Sequence, residues 1–279
     1  MRRSGILVDA RGLGCHDHLC WGYDDPAEFR SRVREFLAEG LALGHRVCYA
    51  GTGPVPRLMA VLDGIVDGDE ARRRGDLRVL SLDDLGALGD PHVRLRLYAK
   101  ATESALADGY RGLRVAADVT GLLQSPTRLN SLARFEHLAD GYSAVHPFSA
   151  LCGYDRRKLD RPTLALLSAL HPSANENGAG FRLHASARGG CCASLGGELD
   201  LASAELFPRA LGHVDPRPVG GRLVLDVTTL DFIDHRNLLT LAEHARRHAA
   251  EVVLRAPRPG PASVVEVLKL EDIRVEAPR

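Results

Sequence analysis

Six consecutive residues, Cys15-His16-Asp17-His18-Leu19-Cys20, form the densest group of ligand-type side chains in the chain. In a β-strand alternate side chains share a face, so His16, His18 and Cys20 would line up on one side. Joined by a further donor they could hold zinc or another soft transition metal. The spacing matches no common structural zinc pattern, and neither a paired CxxC nor HExxH accompanies it. His16, His18 and Cys20 are therefore weak metal candidates beside the commoner reading of a buried polar strand. A second candidate is the loop Ala50-Gly-Thr-Gly-Pro-Val-Pro56, which has the strand-to-helix setting of a phosphate cradle. It lacks the lysine that meets the terminal phosphates and the hydroxyl that holds magnesium, and its prolines remove backbone donors. Nucleotide hydrolysis is not expected there. No GxSxG occurs, and no nucleophile–base arrangement stands out, so no catalysis and no cofactor are expected. Cys191-Cys192 read as buried structural thiols, and Arg72-Arg73-Arg74 as a solvated helix end.

These residues need a scaffold, and 279 residues leave ample length for one large domain or two ordinary ones. Hydrophobic residues make up 45% and charged residues 26%, which places the chain among folded globular proteins rather than disordered ones. The 36 basic and 36 acidic residues cancel, so the electrostatic pull that dominates nucleic-acid binding is missing. No apolar run is long enough for a membrane span, and Ile6-Leu7-Val8 is too short for a signal-peptide core. The expected location is the cytoplasm, where the six cysteines would stay reduced.

From Asp17 to Tyr154 the pattern alternates between strands and helices. Strands are expected over 17–23, 45–50, 77–82, 113–119 and 150–154. Asp24-Asp25-Pro26 offers a helix cap with proline in the first turn, and Phe29, Val33, Phe36, Leu37 and Leu41 form one helical stripe. Further helices are expected over 57–65, 94–110 and 127–142. Such alternation predicts an α/β fold, a mostly parallel sheet with helices on both faces. The breaker-rich stretch 173–180 reads as a linker, so residues 1–172 and 181–279 form two units. The second unit should hold strands over 181–187 and 191–199 joined by a turn at Arg188-Gly189-Gly190, then strands over 221–227 and 252–255. Helices over 202–211, 235–249 and 262–270 complete it.

The second unit resembles a STAS domain, the family of anti-sigma factor antagonists and sulphate-transporter tails. Gly197-Glu-Leu-Asp-Leu-Ala-Ser203 is similar to that family's G-E-L-D segment. Leu223-Val-Leu-Asp-Val-Thr-Thr-Leu-Asp-Phe-Ile-Asp234 is similar to its central strand and switching loop. The family's loop carries a phosphorylated hydroxyl, whereas this one reads Asp234-His235-Arg236-Asn237. The resemblance implies a partner, an anti-sigma factor or related kinase-like regulator, bound by Asp234, His235, Arg236 and Asn237 at a surface loop that kinase chemistry cannot switch.

The first unit resembles a MEDS domain, a bacterial sensory module proposed to sense simple hydrocarbon derivatives. The carrying residues are Asp17-His18-Leu19-Cys20 with Tyr23, Leu37-Ala-Glu-Gly-Leu41, Arg111-Gly-Leu-Arg-Val115, Phe135-Glu136 and Ala150-Leu-Cys-Gly-Tyr-Asp-Arg156. Gly153 stands where the family usually has glutamine. The resemblance implies a RecA-like fold without a working phosphate loop. It also implies a small-molecule pocket walled by His18, Cys20, Tyr23, Arg114, Glu136, Cys152 and Tyr154. The bland alternative pairs Arg114 with Glu136 as an internal ion pair. Together the two resemblances imply a signalling protein in which ligand sensing is coupled to protein binding. A metal-dependent enzyme and a ligand-independent adaptor are the alternatives.

Overall fold

The computed structural model describes residues 3–83, 90–123, 125–176, 178–187, 189–256, 265, 267 and 270–277. Its first sheet contains β1 (Gly5–Ile6), β2 (His18–Tyr23), β3 (Arg46–Gly51), β4 (Leu77–Ser81), β5 (Leu113–Asp118), β6 (Phe148–Asp155) and β7 (Ser173–Ala174). The order is β1-β7-β2-β6-β5-β3-β4, and every pairing is parallel. The central strands are buried along their whole length, as a sheet covered on both faces requires.

Four of the helices that cover it share a start signal. α1 (Pro26–Ala42), α4 (Pro91–Ala107), α5 (Pro126–Val145) and α6 (Arg161–Ala169) are capped by Asp25, Asp90, Ser125 and Asp160. Each cap side chain accepts a backbone N–H, and proline sits in the first turn, where its missing donor costs nothing. The helix expected over 57–65 is shorter. α2 (Val55–Met59) runs into a single tight turn over Ala60–Leu62 and stops before Gly64, whose φ is +95°. α3 (Gly68–Arg74) then follows, its last turn made of the Arg72-Arg73-Arg74 run expected as a helix end, while α6 lies outside the sequence expectation.

The second, smaller sheet holds β8 (Phe181–His184), β9 (Ala193–Leu199), β10 (Arg222–Asp226), β11 (Leu230–Ile233), β12 (Glu251–Arg255) and β13 (Ile273–Glu276). β8 runs antiparallel to β9, and the remaining pairings are parallel. Among the described residues its longer helices are α7 (Leu206–Val214) and α8 (His235–Arg247). The expected turn residue Arg188 and most of the expected helix over 262–270 lie outside the described residues. Cys191 and Cys192 precede β9 and are half-buried, not enclosed in a strand as expected.

The stretch 173–180 departs from the linker expectation. Ser173 and Ala174 add a strand to the first sheet, and the Asn175 side chain bonds both backbone groups of Gly22, at 2.9 and 2.8 Å. A run of small polar residues without periodicity hid a two-residue strand. The two sheets are also joined by packing. α5 and α6 touch the first sheet on one side and α7 and β8 on the other. One continuous apolar core runs from Cys152 and Leu167 through Phe181 and Phe207 to Leu225 and Leu254. Burying apolar surface across such a seam makes each side depend on the other. The chain should therefore unfold on heating in one transition, with calorimetric and van't Hoff enthalpies in agreement. Two resolved transitions would show that the sheets are stable independently.

Candidate functional site

Strand parity sorts the candidate residues. On β2, His18 and Cys20 face α5 and α6, while Leu19, Trp21 and Tyr23 face α1. β6 lies beside β2 with Cys152 opposite Cys20 and Tyr154 opposite Gly22, so Cys152 and Tyr154 share the α5 face. Glu136 and Asp140, one turn apart on α5, descend onto that face and are fully buried. His171, just beyond α6, closes the group from the other side, its ring centroid 4.2 Å from that of His18.

The result is a buried polar cluster. His18 Nε2 stands 3.3 Å from Glu136 Oε2 and 3.5 Å from Cys152 Sγ. Cys152 Sγ–H points at Glu136 Oε2 across 3.5 Å, and His171 Nε2 is 3.6 Å from the same oxygen. Tyr154 donates its hydroxyl to Glu136 Oε1 at 2.9 Å. Burial, and next the Glu136 carboxylate, push the Cys20, Cys152 and Tyr154 protons to high pKa. A cavity of about 20 Å³ adjoins the cluster, walled by His18, Arg94, Tyr98, Phe135, Glu136 and Cys152. A single water molecule needs about 10–15 Å³. Four donor atoms, from His18, Glu136, Cys152 and His171, lie within 4.8 Å of one another.

A second contact chain leaves the cluster. Asp140 Oδ1 is 3.2 Å from His18 Nδ1, and Asp140 Oδ2 accepts the backbone N–H of Ala185 at 2.7 Å, just past β8. His184 lies 3.9 Å from the same carboxylate. A buried carboxylate thus touches the cluster with one oxygen and the second sheet with the other.

Two expected wall residues are elsewhere. Arg114 points to the α1 face, where it pairs with Glu39 at 2.7 Å and covers the Phe36 ring at 4.0 Å. Its partner is Glu39, so neither a pocket role beside Glu136 nor a pair with it holds. Burial lowers the Arg114 pKa, and Glu39 opposes that. Tyr23 stacks on Phe29 at 4.4 Å and donates to Asp118 Oδ2 at 2.9 Å, also on the α1 face. It lines a separate cleft of about 520 Å³ at the carboxyl ends of the strands, together with Tyr49, Arg57, Asp118, Thr120 and Asp155. The metal expectation is likewise redrawn. His16 precedes the strand and hydrogen-bonds the Ser143 carbonyl through Nδ1 at 2.8 Å, so only His18 of the expected set belongs to the four-donor group. His171 and Asp140 were not among the expected site residues: His171 lies two residues before the presumed linker, and Asp140 is one of several polar residues on a long helix, with nothing local to single it out.

On the second sheet, Asp234 caps α8 by accepting the Asn237 N–H at 2.9 Å, and His235 and Arg236 are exposed. Asn237 is buried instead of exposed. Its amide donates to the Asp200 carbonyl at 3.2 Å and to Ser203 Oγ at 3.3 Å, tying this loop to the one after β9.

A seven-stranded parallel sheet with a buried His–Glu–Cys–His cluster under one face defines an α/β domain built around a small internal polar site. Residues 17–172 match the MEDS family, the methanogen/methylotroph, DcmR sensory domain, and the chain belongs to that family. No curated protein matches the chain. The family signatures now have physical content: Glu39 of one pairs with Arg114 of another, and a side chain on Gly40 would meet Arg114 and Val47 at 2.8 Å. Gly153 is required here because a Cβ would fall 2.0 Å from the Phe29 ring, which fills that space.

The six thiols are free, and three of them, Cys20, Cys48 and Cys152, are buried. Burial pushes Cys48 to about 12. A raised pKa keeps a thiol protonated at pH 8 and removes the nucleophilic thiolate. Alkylation of the native protein at pH 8, mapped by mass spectrometry, should label Cys15, Cys191 and Cys192 well before the buried three. Rapid labelling of Cys48 or Cys152 would contradict the packing.

Proposed function

We propose that this protein is a signalling molecule whose MEDS domain senses a small molecule at the His18–Glu136–Cys152–His171 cluster. It passes that state to the second unit, which binds a regulatory protein. The observation that carries this reading is the Asp140 carboxylate, held between His18 Nδ1 and the Ala185 N–H. Anything that moves or charges His18 changes what Asp140 can offer Ala185, and coupling between sites requires such a shared element. The cavity of about 20 Å³ beside the cluster suits a ligand of very few heavy atoms, in keeping with simple hydrocarbon derivatives. No catalysis is assigned to the cluster in this reading.

The test is hydrogen exchange on the full chain. Removing one partner of a buried charge-assisted bond costs about 1.5–3 kcal/mol. His18→Gln should therefore speed exchange of the 181–187 amides by about tenfold or more, although His18 belongs to the first sheet. Unchanged exchange there, with the fold intact by circular dichroism, would remove the relay.

The second unit is read as STAS-like and cytoplasmic, with an anti-sigma factor or related kinase-like regulator as partner. Support comes from the G-E-L-D loop joined through Asn237 to the helix-capping loop, leaving His235 and Arg236 as the exposed face. No helix among the described residues is long and apolar enough to cross a membrane. The loop 234–237 carries no hydroxyl. With partner and ATP present, no phosphate should enter residues 234–237, and replacing His235 and Arg236 with Asp should weaken the complex about tenfold or more by reversing local charge. ATP-dependent release traced to this loop, or unchanged affinity, would contradict the constitutive interface.

A further inference from the structure

Four side chains from four separate elements converge under the sheet: His18 from β2, Glu136 from α5, Cys152 from β6 and His171 from the turn after α6. We propose that they form a four-coordinate site for a divalent transition metal of the zinc class. This rests on the sensory reading and deepens it: the four donors would hold the ion, and the small molecule would sit in the cavity beside it.

Three independent features support the assignment. The first is spacing. Zinc bonds of about 2.0–2.3 Å to nitrogen, oxygen and sulfur place tetrahedral donors about 3.3–3.8 Å apart. Four of the six donor pairs stand at 3.3 Å (His18–Glu136), 3.5 Å (His18–Cys152), 3.5 Å (Cys152–Glu136) and 3.6 Å (His171–Glu136), and all six lie within 4.8 Å. The second feature is orientation by outer partners. Metal-bound histidines pass their other N–H to a carboxylate or carbonyl, and bound carboxylates are held in turn. Here His18 Nδ1 meets Asp140 Oδ1 at 3.2 Å, His171 Nδ1 meets the Leu167 carbonyl at 2.8 Å, and Tyr154 holds Glu136 Oε1 at 2.9 Å. Both imidazoles therefore present Nε2 inward.

The third feature is charge. Two neutral imidazoles, one thiolate and one carboxylate sum to minus two, which a dication cancels. Neutralisation matters where all four residues are buried, because an unbalanced interior charge is costly. On binding, the Cys152 thiol proton leaves to solvent and a metal–thiolate bond forms. The mixed nitrogen, sulfur and oxygen set favours zinc-class ions over magnesium or calcium. A second group, Asp215, His244 and His248, is only partly buried, and its carboxylate is already ion-paired with Arg217.

The experiment uses the full chain, stripped with chelator and titrated separately with Zn²⁺ and Co²⁺. One equivalent should bind, and cobalt should give four-coordinate ligand-field bands and a thiolate-to-metal charge-transfer band. Cys152→Ser should abolish the charge-transfer band, and Asp140→Asn should weaken zinc binding about 10–100-fold. His248→Gln should leave stoichiometry and spectrum unchanged. A folded wild-type chain that takes up neither ion stoichiometrically would overturn the site, whatever the variants do. So would a charge-transfer band that survives Cys152→Ser. A chain that binds no metal yet still transmits the His18→Gln change to residues 181–187 would lose the metal and keep the relay.

Discussion

The structure turns on one shared carboxylate. Asp140 is buried, bonds His18 with one oxygen and Ala185 with the other, and belongs to a helix that touches both sheets. Removing either partner leaves an interior charge short of a bond, which is far costlier than never having built the contact. The first sheet cannot shift β2, nor the second sheet the end of β8, without disturbing that carboxylate. Its neighbours add to the constraint: Arg134, also on α5, reaches the carbonyls of His213 and Val214 at the end of α7. The helix that supplies Glu136 to the cluster is the same helix that anchors the second unit.

The two faces of the first sheet divide the labour. The α1 face is a packing face, where Arg114, Glu39, Phe36 and Gly40 lock helix to sheet and Phe29 fills the space above Gly153. The α5 face holds the polar cluster. The cleft at the carboxyl ends of the strands, where ligands of open α/β sheets usually sit, is lined from the α1 side and contacts none of the four donors. The Gly51–Pro56 loop beside it keeps the shape of a strand-to-helix connection without a phosphate loop's chemical groups.

Much of the fold was legible because its signals are local. Strand–helix alternation and capped, proline-started helices mark the first unit along the chain. What the sequence obscured was long-range. Ser173 and Ala174 carry no periodicity and become a strand only because β1 and β2 lie ready to pair with them. His171 stands two residues before that stretch, in a turn with no periodicity to mark it. The candidate site was half legible. His18, Glu136 and Cys152 were identified through family resemblance, and alternation along β2 would have separated His18 from Tyr23, whereas placing Arg114 on the other face needs the register of β5 against β6. Asn237 likewise read as surface because its partners, Asp200 and Ser203, lie more than thirty residues earlier.

The most direct measurement of the central claim is the amide resonance of Ala185 in isotope-labelled protein, compared between wild type, Asp140→Asn and His18→Gln. A proton donated to a carboxylate should resonate far downfield in the wild type, and both substitutions should move it in the same direction. Movement in Asp140→Asn with none in His18→Gln would show that the carboxylate holds the second sheet without reporting on the cluster, and would contradict the account.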